Sequence, residues 1–151
     1  MEIRRGRFAE AEAAYGKATE LNATAAGPYF GLGLALLGRR QPAQALAAWE
    51  REAEPGLRQY GLALGLLALG RRSEADQALQ VLESTYAATM AEAIGSVYAC
   101  RNQLDRSFSW LERAYRQHDG ALPGIKADPC VNNLRSDGRY AALLRKVNLP
   151  E

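Results

Sequence analysis

Apolar positions recur three and four residues apart along most of the chain, the spacing of one face of an α-helix. Two kinds of stretch alternate. In the first, a bulky residue precedes a small one, and another large residue follows a turn later. The cases are Leu32-Gly33 with Leu36, Leu62-Ala63 with Leu66, and Ile94-Gly95 with Tyr98. In the second, a small residue is followed four positions on by a large one. These pairs are Ala11 and Tyr15, Ala45 and Trp49, Ala75 and Leu79, and Ser107 and Leu111. An i, i+4 pair shares a helical face. The small residues of the second stretch recur at spacings of 34, 30 and 32. A period of that size signals stacked helical hairpins, because one hairpin cannot bury its apolar face alone.

The spacing divides the chain. Residues 6–23 predict the second helix of a half repeat, and 26–55, 56–87 and 88–117 predict full two-helix repeats. The repeat region is then 1–117, and 118–151 is a C-terminal capping segment. Pro42 suits the first turn of its helix. Asn102 stands where a turn needs the left-handed backbone, which Asn tolerates. Gly38 comes two residues early for the corresponding turn. In the cap, Asp128-Pro129 and Ser136-Asp137-Gly138-Arg139 are turn or helix-start signals. They predict a short helical turn and then a final amphipathic helix over about 137–147.

Composition narrows the fold class to all-α. There are 28 Ala and 21 Leu against 3 Ile, 4 Val and 4 Thr, so helix formers abound and a sheet has little to build with. The formal net charge is only +2, which argues against nucleic-acid binding held by charge alone. The longest apolar stretch, Tyr60 to Gly70, is about half the ~20 residues that span a bilayer, so no membrane insertion is expected. The start, Met1-Glu2-Ile3-Arg4-Arg5, has no run of signal-peptide type. Cys100 and Cys130 form no CxxC pair. They read as two free thiols in a reducing, cytoplasmic setting.

These paired stretches resemble the tetratricopeptide repeat family. Glu54-Pro55 matches the family's closing acid-proline pair, whereas Leu21-Asn22-Ala23 lacks the proline. The end of the chain also resembles the tails of some bacterial multidomain regulators. The shared features are Trp110-Leu111-Glu112-Arg113-Ala114, then Asp128, Pro129, Leu134, Arg135, Asp137, Arg139, Tyr140, Leu143 and Leu144. Val131 and Gly138 depart from that pattern. The resemblance implies a right-handed superhelical solenoid of about three and a half repeats. It further implies a protein-interaction module within a bacterial signalling protein. Such tails accompany nucleotide-cyclase, winged-helix or protein-kinase domains.

Candidate chemistry is sparse. His118 beside Asp119 has no activated nucleophile to serve and reads as a helix-end residue. No metal-ligand spacing or phosphate-cradling loop occurs, so no catalytic, metal or cofactor site is expected. In a hairpin solenoid the first helices line a groove. Phe30, Leu34 and Leu37 project there from one unit, Tyr60, Leu64 and Leu67 from the next, and Glu92, Ser96 and Ala99 from the third. Leu32, Leu36, Leu62 and Leu66 already serve the core, so the surplus predicts a groove for a peptide or partner helix. The alternative is a dimerisation or autoregulatory tail whose groove the chain fills itself. A carboxylate-gripping groove is excluded, since Phe30, Leu34, Gly61, Thr89 and Ala93 hold the positions that would need cations or amides. Arginines recur at the turns: Arg4, Arg5 and Arg7, Arg39 and Arg40, Arg71 and Arg72, and Arg101. They predict a basic edge whose first role is to complement helix C-termini. Finally, Phe8, Ala11, Tyr15, Ala18 and Leu21 form a face with no first-helix partner. Either an upstream segment or a second subunit is expected to cover it.

Overall fold

The computed structural model describes the backbone of residues 2–151 and the side chains of residues 7–151. Among the described residues the chain is all-helical, without strands. The α-helices are α1 Glu2–Leu21, α2 Pro28–Gly38, α3 Pro42–Glu50, α4 Pro55–Ala68, α5 Arg72–Thr85, α6 Ala91–Cys100, α7 Leu104–Arg116 and α8 Gly138–Lys146. Two 3-10 segments, Leu122–Ala127 and Val131–Asn133, lie between α7 and α8. None of these helices is long and apolar enough to cross a membrane. The chain divides into two compact units, residues 1–79 and 80–151.

Helix ends explain where the elements stop. Arg40, Gly70, Asn102, His118 and Asn148 all have positive φ. Each follows a helix whose last carbonyls are closed by two reverse bonds. After α2 these are Arg40 N–H to the Leu37 carbonyl and Gln41 N–H to the Leu36 carbonyl, both 2.9 Å. After α6 they are Asn102 to Ala99 and Gln103 to Tyr98, both 3.0 Å. This is the left-handed helix stop. Asn102 stands where the sequence pattern places it. The stop after α2 falls on Arg40, not Gly38, so the two like-worded turn phrases, Leu37-Gly38-Arg39-Arg40 and Leu69-Gly70-Arg71-Arg72, are offset by two residues. Arg40 corresponds to Gly70, and Arg39 has no counterpart in Arg71.

In the first unit, α1 packs on α2, α2 on α3 and α3 on α4. Trp49 of α3 is the centre of this packing and is fully buried. A Cβ at Gly33 of α2 would lie 2.2 Å from its indole, and one at Gly61 of α4 also 2.2 Å. The two glycines therefore let both helices close on one ring. The indole N–H donates to the Phe30 carbonyl at 3.1 Å. Ala45, the small partner of Trp49, is wholly buried. Tyr15 of α1 lies against Gly31 in the same way, but it stays 41% exposed.

In the second unit, α7 packs on α6 by the same device. Leu111 sits over Gly95, and the buried Ser107 hydroxyl donates to the Gly95 carbonyl at 2.7 Å. The tail then folds back onto this hairpin. Leu122, Ile125, Val131, Leu134, Tyr140, Leu143 and Leu144 join Phe108 and Leu111 in one core. The final helix begins at Asp137, whose carboxylate accepts from the Arg139 N–H at 2.9 Å. The Arg139 guanidinium bridges Asp137 and Asp105 and stacks over the Phe108 ring. The predicted short turn is the 3-10 segment Val131–Asn133. The other 3-10 segment, Leu122–Ala127, has no counterpart in the sequence reading.

One expectation is overturned. Cys100 and Cys130 are bonded to each other, with Cα atoms 5.0 Å apart. Thirty residues separate them in sequence, so no local motif announces the pair. The returning tail brings Cys130 to the C-terminal end of α6. Disulfides persist in oxidising settings, so the free-thiol ground for a reducing, cytoplasmic location is gone.

Candidate functional site

The groove residues fall into two sets. Phe30, Leu34 and Leu37 lie on one face of α2 and are each half-buried. Three large apolar side chains at i, i+4 and i+7 thus remain partly open to solvent over the length of α2. Phe30 also packs on Tyr60, with ring centroids 5.2 Å apart. Of the α4 positions, Leu67 is half-buried, while Tyr60 and Leu64 are buried. In α6, Glu92, Ser96 and Ala99 are all buried. The returning tail covers this helix: the Asn133 amide donates to the Ala99 carbonyl at 2.8 Å, and the disulfide holds its end.

The N-terminus of α2 is built by a residue with no place in the sequence reading. Glu52 is wholly buried. Its carboxylate accepts from the Gly27 and Phe30 N–H groups, each at 2.8 Å, and from the Glu54 N–H at 3.1 Å. The first turn of a helix leaves its amides unpaired, and Glu52 reaches back to satisfy two N–H groups there. This fixes the end of α2 that carries Phe30. Arg58 ties the Glu52 carbonyl at 3.0 Å. A buried carboxylate 22 residues from its amide partner leaves no pattern in sequence. The only hint is an acid where α1 has Ala18, one helical repeat earlier.

The N-terminus of α6 is different. Asp119 accepts from the Glu92 N–H at 3.0 Å and from the Ala121 N–H at 3.0 Å. The Glu92 side chain meets Asp128 instead. The two carboxyl groups share a hydrogen bond, which requires a proton between them. Burial, first, and then the neighbouring acids push Glu92 well above the usual carboxylate range. Burial likewise pushes Asp128 up to about 6. One oxygen of each, Glu92 Oε1 and Asp128 Oδ2, is buried with no partner.

The basic edge is largely neutralised in the first unit. Arg39 pairs with Glu12, and Arg71 pairs with Glu74 at 2.6 Å. Arg40 and Arg72 are exposed, and Arg101 is half-buried. The side chains of Arg4 and Arg5 lie outside the described residues. His118 occupies the left-handed stop after α7 and is exposed. On α1, Ala14 and Tyr15 are exposed, whereas their counterparts Ala48 and Trp49 are buried. No group of three or more metal-ligating side chains gathers among the described residues. No protein-family model matches the chain, and neither does any curated protein or solved structure.

Proposed function

We propose that this protein is a non-catalytic interaction module of tetratricopeptide type, whose α2 face binds an amphipathic helix or apolar peptide. The observation that carries this reading is the half-open row Phe30, Leu34 and Leu37, with Leu67 as a further open position on α4. Apolar side chains held open on a helix that is pinned at both ends suit a partner's apolar stripe. The recurring large-on-small contacts, Tyr15 on Gly31, Trp49 on Gly33 and Gly61, and Leu111 on Gly95, support the repeat and solenoid reading. A scaffold or regulatory role in a bacterial signalling protein belongs to the same proposal. The exposed Tyr15 side of α1 is our candidate for a contact with a second copy or an upstream segment.

A second reading, a groove filled by the chain itself, is favoured for α6 alone. There Glu92, Ser96 and Ala99 lie buried, with the tail bonded across the helix. The accessible contact set is therefore Phe30, Leu34, Leu37 and Leu67.

The test uses 15-residue amphipathic peptides selected by phage display against the oxidised protein. Binding of a selected peptide is expected to shift amides of α2 in NMR spectra. Leu34→Glu should weaken it at least about tenfold, equivalent to roughly 1.4 kcal/mol. Leu21→Glu, at a site 78% exposed, should leave it unchanged. Peptides whose shifts map away from α2, or that ignore Leu34→Glu, would overturn the assignment.

A further inference from the structure

The second unit contains an acid pair, with Glu92 buried, that takes no part in the α2 face. Glu92 is 4% exposed and belongs to the first turn of α6. Asp128 closes the 3-10 segment Leu122–Ala127 and is half-buried, with its Oδ2 out of solvent. Leu122 and Ile125 hold that segment in the core. The segment is therefore a strap: α7 delivers it, the acid pair meets it at Asp128, and Cys130 bonds it to Cys100 two residues later.

Among the described residues, the charged groups that act directly on the pair are acids. From α6 comes Glu92, and from the turn after α7 comes Asp119, itself an acid and already occupied by two backbone N–H groups. From the α8 side come the Tyr140 hydroxyl, which feels Asp128, and Arg135, which engages that hydroxyl. A buried and a half-buried carboxylate facing each other, with a third acid alongside, are tolerated only while a proton bridges them. Each has a buried oxygen without a partner, so a second charge would go unrelieved.

We propose that the Glu92–Asp128 pair is a proton-dependent clasp that fastens the 122–128 strap to the first turn of α6. With the proton present, the Glu92 O–H donates to the Asp128 carboxylate and the strap is closed. When the proton leaves to solvent, two facing charges repel and the strap loosens. The disulfide confines the loosening to the segment before Cys130. The direction comes from linkage. Both groups hold protons more tightly in the folded chain than in the unfolded one. Their contribution is complete below about pH 4 and is lost as pH rises through the folded values, about 6 for Asp128 and well above the carboxylate range for Glu92. The clasp concerns the second unit alone and holds whether or not α2 binds a peptide.

The experiment is amide hydrogen exchange on the intact, oxidised chain at several pH values from about 5 to about 9, corrected for intrinsic exchange rates. Protection at Leu122 to Asp128 and at the first turn of α6 should fall at least about tenfold over that range. Amides of Ala45 and Leu46 in the first unit serve as the internal reference and should not change. Glu92→Gln keeps a donor toward Asp128 but cannot ionise, so its strap should stay protected at about pH 9. Asp128→Asn provides the independent check if the first variant folds poorly. Equal protection of the wild-type strap at both ends of the range would overturn the proposal. So would a pH-dependent loss that persists undiminished in whichever of the two variants folds.

Discussion

Two helices that the sequence pattern pairs, α2 in the first unit and α6 in the second, stand in opposite states. On α2, Phe30, Leu34 and Leu37 are apolar and half-open; on α6, Glu92, Ser96 and Ala99 are polar or small and buried. Hydropathy alone would assign the reverse. The difference lies in the chain beyond each hairpin. After α7 it returns as a strap and covers α6, bonding through Cys130 and Asn133. The side chains beneath it are small or carry groups that the strap can meet, whereas bulky apolar residues would leave it no room. Two buried glutamates sharpen the contrast. Glu52 gives its oxygens to three backbone amides and builds the start of α2. Glu92 faces a second acid, and burial holds its carboxyl well above the usual carboxylate range.

The largest expected effect breaks the covered side. Cys130→Ser removes a link that closes a loop of about 30 residues and should cost the second unit about 3 kcal/mol in denaturant unfolding. The α2 amides should keep their protection. If they lose it equally, burial in the two units is not decided separately. A smaller effect sharpens the contrast between the glutamates. Glu52→Ala strands three partly buried amides and should destabilise by about 2 kcal/mol at neutral pH. Glu92→Gln should do the opposite at mildly alkaline pH, raising the thermal midpoint, because it removes a buried ionisation. Two losses of similar size in thermal melts would erase the distinction. Smaller again is Leu34→Glu, which places a charge on a half-open site. It should cost under about 1 kcal/mol of stability while weakening peptide binding at least about tenfold.

Much of this contrast is readable in the sequence, for a physical reason. Small and large residues at fixed spacing are packing instructions, so the helix pairs and the Trp49 and Leu111 contacts come from pattern. The final helix is readable because Asp137 caps it locally. The hidden features are non-local. The Cys100–Cys130 bond, the Glu52 cap and the Glu92–Asp128 pair each join residues 22 to 36 positions apart. No period links them. The candidate groove is legible as a row of positions, but whether each is open depends on the strap. The turn arginines mislead for another reason: a shared Leu-Gly-Arg-Arg phrase hides a two-residue offset, which the left-handed residues Arg40 and Gly70 expose.

At the centre of this account, the α2 face is open and the α6 face is covered by the chain's own tail. Solvent paramagnetic relaxation on methyl groups, with a soluble gadolinium chelate and the oxidised protein, tests it directly. The Leu34 and Leu37 methyls should relax several-fold faster than the Ala99 methyl, which is 1% exposed. Equal enhancement at all three would contradict the account, as would Leu34 and Leu37 methyls as silent as that of Ala99.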